Sequence, residues 1–496
     1  MRALSEQSRQ ISAASDGSPA QARERARGAR AELRSGDRVE AALLAGLVGG
    51  LAWTPFWLGG DRLLPWGLNA VLFPGLALAY EASLVARGRP HAFAARLIAA
   101  PIALFFLAAL WAFAQTSPLA SAAFAHPIWA MASDALGTGL PATISVDPPA
   151  TMRALMRLLT DASALWLSLQ LCRDSSRAIF LLQAIATIVA AYAAYGIILA
   201  VAFGGAIPFF DVADIGGFVR STFVNHNSFS TYAGLGLLVV TALTLRLYRH
   251  AVPDAEGVAS YRLNKLIAAT GTQGGLLVGA GLVILAALLG TASRGGVLSI
   301  AVGLFALLAL TLTRRRRRRG EQIEAIAFVA AAIVIAFVFF GDRFVGRIAA
   351  SSLGDASRAS VYVIVIRAIM DAPLLGFGYG TFADVFPMYR DQSIATAGVW
   401  DLAHNTYLEV WLGLGLVCGT ALMAAIAMLA FKCLVGAVNR QRDSIAPIVA
   451  AAAALLVGVH ALVDFSLQME AVTLTFMALL GAGLAQSESS RHVVAD

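Results

Sequence analysis

The chain has 496 residues, of which 58% are hydrophobic and only 14% charged, with a mean hydropathy of +0.73 and a net charge of +7. A soluble domain carries about 25% charged residues, so an ordinary soluble enzyme and a disordered chain are both excluded. The apolar residues come in blocks of roughly 18 to 25, the length at which a helix crosses a bilayer. The chain therefore reads as an all-α polytopic membrane protein.

In chain order, residues 1–40 are polar and rich in Arg and Ser. They bury too little apolar surface to fold and read as a flexible cytoplasmic tail. They hold no short apolar core with a cleavage site, so they do not read as a removable signal peptide. The pattern then predicts nine transmembrane helices within 41–340. Their cores are 41–60, 63–80, 94–115, 154–171, 178–203, 228–247, 268–290, 296–312 and 322–340. A large loop covers 341–405. Three more spans, 406–431, 446–466 and 470–486, complete a set of twelve, and 487–496 is a second tail. Cys172, Cys418 and Cys433 fit neither a disulfide framework nor a CxxC metal site.

Loop charge sets the orientation. With both termini in the cytoplasm, 27 of the 37 Lys and Arg lie on that side. Excess Lys and Arg mark the cytoplasmic face. The run Arg314 to Arg319 reads either as a topology anchor ending the eighth span or as a patch for anionic lipid or nucleic acid. It abuts a span, which favours the anchor, and no nucleic-acid partner is expected.

Two outer segments are long. Thr116 to Thr151 holds His126-Pro127, Trp129 and the turn-rich Asp147-Pro148-Pro149. The larger, 341–405, is patterned. Val361, Ile364, Val365, Ala368 and Ile369 repeat as one face of an amphipathic helix, which Asp371-Ala372-Pro373 stops. Gly376-Phe377-Gly378-Tyr379-Gly380 follows. Its glycines suit either a backbone cradle for a phosphate or a tight, aromatic-anchored turn.

Polar groups gather at the outer helix ends. Arg220 precedes Asn225-His226-Asn227, and Arg294 sits in the turn Ser293-Arg294-Gly295-Gly296. A basic residue there runs against the charge bias, and charges at membrane depth are mostly paired or functional. The plain alternative is an arginine snorkelling to the headgroups. Arg358 opens the amphipathic helix. His404-Asn405 lead into the tenth span, with Tyr407 and Glu409 behind them. His460 and Asp464 stand four apart on one helical face, as a packing pair or part of a site. Asp161, inside the fourth span, has no evident basic partner and suits a proton relay or a wet groove.

Five pieces, in this order and all on the outer side, carry a resemblance. They are Phe223-Val224-Asn225-His226-Asn227, Ser293-Arg294-Gly295-Gly296, Pro373 to Gly380, His404 to Glu409, and His460 to Ser466. Together they resemble the O-antigen ligase and Wzy-like polymerase superfamily over residues 150–486. Pro118 to Leu159 is more similar to its exopolysaccharide-polymerase-like members. The resemblance implies a GT-C-like glycosyltransferase of the bacterial inner membrane with its active site in the periplasm. Such enzymes move a glycan from undecaprenyl pyrophosphate to an acceptor hydroxyl on another lipid-linked glycan or on lipid A-core. They invert configuration and use no metal or other cofactor. The family's conserved arginines match Arg220 and Arg294, and its catalytic histidine matches His404. Asn225, Asn227, Arg358, Tyr379, Asn405, Tyr407, Glu409, His460 and Asp464 become the substrate-binding candidates. Where many members have Asn-Pro-Asn, this chain has Asn225-His226-Asn227.

The implied chemistry suits the residues. A departing pyrophosphate gains charge that positioned arginines stabilise, and a neutral imidazole takes the acceptor's proton. Tyr379, Tyr389, Trp400 and Tyr407 offer rings for sugar stacking, and membrane lipid with the polyprenyl chain would occupy a groove between helices. Two other classes compete. A secondary transporter also has twelve helices, but the halves show no internal repeat. A non-catalytic envelope scaffold needs no outward arginines and histidine.

Overall fold

The computed structural model describes residues 37–118, 123–210, 217–251, 259–313, 352–394, 400–440 and 443–488. Helices dominate, and no strand occurs among the described residues. The first are α1 (Asp37–Phe56), α2 (Leu63–Arg87), α3 (Ala99–Gln115), α4 (Ile128–Leu136) and α5 (Pro148–Leu171). There follow α6 (Ser175–Ala202), α7 (His226–Ala251), α8 (Ala259–Thr291), α9 (Arg294–Thr313) and α10 (Ser352–Asp371). The last are α11 (Phe382–Tyr389), α12 (Thr406–Asn439), α13 (Ile445–His460) and α14 (Glu470–Ser487).

Eight helices among the described residues are long and apolar enough to cross a membrane: α1, α2, α3 with its leading turn, α6, α7, α8 from Gly271, α9 and α12. Three other predicted spans are helical but differ for physical reasons. α5 carries Arg153, Arg157 and Asp161, which line a cavity. α14 is enclosed by protein along nearly its whole length, so it needs no lipid-facing apolar surface. α13 stops at His460, six residues before the end predicted for it, because a turn takes over at Ala461. The predicted span 322–340 and the run Arg314 to Arg319 lie outside the described residues.

Caps explain where the helices begin. α5 starts at Pro148, earlier than expected. Asp147 accepts from the Ala150 amide at 2.9 Å, and the two prolines fill first-turn positions where an amide hydrogen has no helical partner. The expected turn at Asp147-Pro148-Pro149 is thus a helix start. Asn225 Oδ1 accepts from Asn227 N at 2.7 Å ahead of α7, and Asn405 Oδ1 from Leu408 N at 3.1 Å ahead of α12. α10 begins at Ser352, so Arg358 lies inside it rather than opening it.

The amphipathic face predicted for α10 is buried and packs with Phe377, Phe382, Val385 and Phe386 into a separate small core. α10 ends at Asp371, as the Asp-Ala-Pro signal requires. The glycine loop after it resolves as a docking turn. Phe377 N donates to Leu412 O at 3.0 Å, Gly378 N to Gly413 O at 3.1 Å, and Leu416 N to Pro373 O at 2.7 Å. Those carbonyls and amides are free because α12 breaks at Gly415, whose φ is 75°. Tyr379 N donates to Gln115 Oε1 at 3.2 Å. With these amides engaged by protein, the loop does not form the phosphate cradle. Gly376, at φ 67°, admits no side chain: a Cβ there would lie 2.3 Å from Gly413 O.

α14 is the central post, packed against α5 and α13, while α7 packs on α8 and α12 on α3. At one end of the bundle, Ala471 N meets Gly59 O at 3.1 Å and Thr406 N meets Ala461 O at 2.9 Å. At the other, Gln486 Nε2 donates to Cys172 O at 2.6 Å, and Arg246 pairs with Asp443 at 2.5 Å.

Candidate functional site

A cavity of about 1220 Å³ opens between α5, α12, α13, α14 and the segments leading into α7 and α12. Of the residues singled out from the sequence, Asn225, Asn227, Arg358, Tyr379, Trp400, His404, Tyr407 and Glu409 line it, as does Asp161, whereas Tyr389 does not. Arg220, Arg294, Asn405, His460 and Asp464 are not among its lining residues. Ala427, Ala430, Ala454, Val457 and Phe476 extend the wall as an apolar tract along α12, α13 and α14.

His404 is fixed from every side. Its backbone is left-handed, with φ 53°, unusual for a residue with a side chain. Tyr362 donates its hydroxyl to His404 O at 2.8 Å, Asn405 Nδ2 donates to Leu462 O at 3.0 Å, and Glu409 accepts from Ala403 N at 3.2 Å. The ring meets Trp400 and Phe465 edge-on, with centroids 5.6 and 4.7 Å away. Strained backbone held by its surroundings is a mark of functional positions.

The imidazole has a carboxylate partner. His404 Nδ1 stands 3.3 Å from Asp464 Oδ1, and Asp464 is only 1% exposed. Burial alone would raise that carboxyl. The hydrogen bond from His404 and the neighbouring imidazoles outweigh burial and hold it below the usual carboxylate range. An ionised carboxylate only accepts, so Nδ1 carries a hydrogen and Nε2 is the ring nitrogen left for other contacts. Ser466 Oγ donates to Asp464 Oδ2 at 3.0 Å and lies 3.0 Å from His460 Nδ1, with Thr231 Oγ1 2.9 Å from the same nitrogen. His460 and Asp464 are 3.9 Å apart and communicate through Ser466. The helix end at His460 turns Asp464 towards His404 instead.

The other motifs sit nearby. A Cβ on Gly295, next to Arg294, would lie 3.6 Å from His460 Nε2, so the Arg294 turn abuts this network. Arg220 is buried at 3% exposure and donates from Nη2 to Gly205 O at 3.3 Å. Tyr407 donates its hydroxyl to Gly458 O at 2.8 Å. His226 opens α7, lines the cavity and packs on Phe218 at 5.0 Å.

Sequence reasoning missed Arg153 and Arg157. The signal was present, since Arg153, Arg157 and Asp161 recur every four residues on one face of α5. It also missed Gln115, which is fully buried. Its Nε2 donates to Leu375 O at 2.7 Å and Gly413 O at 2.8 Å, tying α3 to the glycine loop and α12. Nothing in the sequence marks that residue. Tyr379 faces Arg157, Asp161 and Glu409; burial pushes its hydroxyl up to about 12, against the pull of Arg157.

No curated protein matches the chain. Residues 279–423 match the family model described as O-antigen ligase. That stretch runs from α8 into α12 and contains Arg294, Arg358, Tyr379, His404, Asn405, Tyr407 and Glu409. The 279–423 segment, with the Arg294 and His404 motifs inside it, thereby falls within the O-antigen ligase and Wzy-like superfamily.

Proposed function

We propose that this protein is an inverting, metal-independent glycosyltransferase of the periplasmic face of a bacterial inner membrane. It moves glycan from undecaprenyl pyrophosphate to an acceptor hydroxyl, in polymerisation or ligation of a surface polysaccharide. The observation that carries this reading is the cavity-lining His404 with its Nδ1 against buried Asp464.

In the proposed step the acceptor oxygen attacks the donor's anomeric carbon as the bond to the pyrophosphate oxygen breaks. The electron pair leaves with undecaprenyl pyrophosphate, and the hydroxyl proton passes to His404 Nε2. A single displacement inverts the anomeric centre. Asp464 holds the imidazole in the accepting tautomer and offsets its charge once protonated. The leaving group's charge falls to arginines of this end: Arg358 in the lining, Arg294 on the turn beside His460, and Arg220 ahead of Asn225. Asn225, Asn227, Tyr379, Asn405, Tyr407, Glu409, His460 and Asp464 shape or support the substrate site. The apolar tract from Ala427 to Phe476 suits a polyprenyl chain.

His404→Ala should insert and bind lipid-linked donor normally while losing about 10²- to 10⁴-fold in transfer rate, the usual cost of a missing general base. Reconstituted membranes supplied with lipid-linked glycan measure this. Retention of more than about a tenth of the rate rejects the assignment.

A further inference from the structure

The cavity has a second polar wall that the transfer step leaves unassigned. α5 presents Arg153, Arg157 and Asp161 to it, alongside Asp61 and Trp66, and it borders the substrate site at Tyr379. Arg157 is fixed in advance. Its guanidinium lies 4.5 Å from the centroid of the Trp66 ring, and its Nη2 donates to Gln468 O. Its Nε is 3.8 Å from Glu470 Oε1, while Asn69 Nδ2 donates to Glu470 Oε2 at 2.6 Å. Asn69 in turn accepts from Trp53 Nε1 at 2.9 Å. Residues of α1, α2 and α14 thus hold one guanidinium at the cavity wall. A group ordered before binding loses little entropy when a ligand arrives.

Asp161 is the opposite case. Its Oδ1 is shielded from solvent and has no hydrogen-bond partner among the described residues. A buried carboxyl oxygen left unpaired is costly, and the cost is removed when a ligand donor completes it.

The mixture of donors and acceptors selects the ligand. A wall for phosphate would be built of guanidiniums alone, without a buried carboxyl oxygen that needs a donor phosphate does not offer. A wall for a lipid chain would hold neither sign. A polyhydroxylated neutral ring suits both, since each hydroxyl donates to a carboxylate or accepts from a guanidinium.

We propose that this wall is a sugar subsite, in which Asp161 accepts from one ring hydroxyl, Arg157 donates to a neighbouring one, and Tyr379 packs against the ring. The inference rests on the glycosyltransferase reading and adds what that reading leaves unassigned: a place for a sugar of the repeat that takes no part in the reaction.

The test separates the two. The probe is the free oligosaccharide repeat, released by mild acid from lipid-linked glycan that accumulates in cells lacking this protein. It carries no pyrophosphate and needs no His404. Calorimetric titration of purified protein in nanodiscs should show Asp161→Asn binding it about tenfold or more weakly, the scale of one lost charge-assisted hydrogen bond. Arg153→Gln, at the exposed rim of the wall, should weaken it severalfold, and His404→Ala should bind it like the wild type. Unaltered thermal unfolding checks that the variants are folded. Binding within twofold of wild type in both Asp161→Asn and Arg153→Gln, or no binding to the wild type, overturns the subsite. Transfer by His404→Ala overturns the catalytic reading and leaves the binding result standing.

Discussion

The pair His404–Asp464 makes a sharp prediction. Asp464→Asn keeps the shape but frees the ring to adopt the other tautomer, in which Nδ1 becomes the acceptor. Transfer should fall by about 10²-fold or more while donor binding is kept, as read by kcat against KM. The linkage has a definite sign. The Asp464 carboxyl is held below its ordinary range, so the stability it contributes is complete above the unfolded value of about 3.9. It is lost as pH falls through the lowered folded value. The stability that wild type owes to the ionised Asp464 should therefore be lost only as pH falls below about 4, as followed by thermal unfolding of wild type against Asp464→Asn. His404 and Glu409 were legible because they stand in a short motif. The partner of Asp464 was not, because spacing of four implies one helical face and α13 ends before that rule applies. Arg157 was legible in spacing alone, but its hold by Trp66, Gln468 and Glu470 depends on helices far apart in sequence.

At the element scale, the broken helix α12 and the glycine loop stand or fall together. Gly376→Ala would force a side chain into the Gly413 carbonyl at a left-handed backbone position. It should cost more than about 1 kcal/mol, because neither the space nor the conformation is available. Gln115→Leu removes the group that serves two carbonyls and one amide. Leu375 O keeps Trp111 Nε1 and Gly413 O keeps Gly378 N, so it is the Tyr379 amide that is left unpaired, at a cost of about 1–3 kcal/mol. Unfolding in detergent, followed by thermal shift, measures both, and a shift of less than a degree in either variant would count against the docking role. The amphipathic stripe of α10 was readable because periodicity is local. α4 and α11 were not read, being short helices inside long outer segments, and the break at Gly415 was hidden inside an unbroken apolar run.

At the scale of the whole molecule, the apolar blocks were enough to locate helices, because bilayer thickness imposes their length. They did not distinguish a lipid-facing span from an enclosed one such as α14. Orientation is a separate matter and has its own test. A reporter active only in the periplasm should work when fused after Asp391 and stay silent after Arg319; the reverse pattern would put donor and cavity on opposite faces. The break in α12 has one more consequence. From Gly415 to Asn439 the helix is about 37 Å long, against a hydrocarbon layer of about 30 Å, and the part from Thr406 to Leu414 adds about 13 Å beyond the break. In the proposed arrangement the lower part would act as a gauge rod that sets how high His404 rides over the lipid, where the proposed lipid-tethered pyrophosphate has a fixed height of its own. Transfer should thus peak in membranes of matching thickness and decline in both thinner and thicker phosphatidylcholine bilayers, while binding of the untethered oligosaccharide stays level across the series.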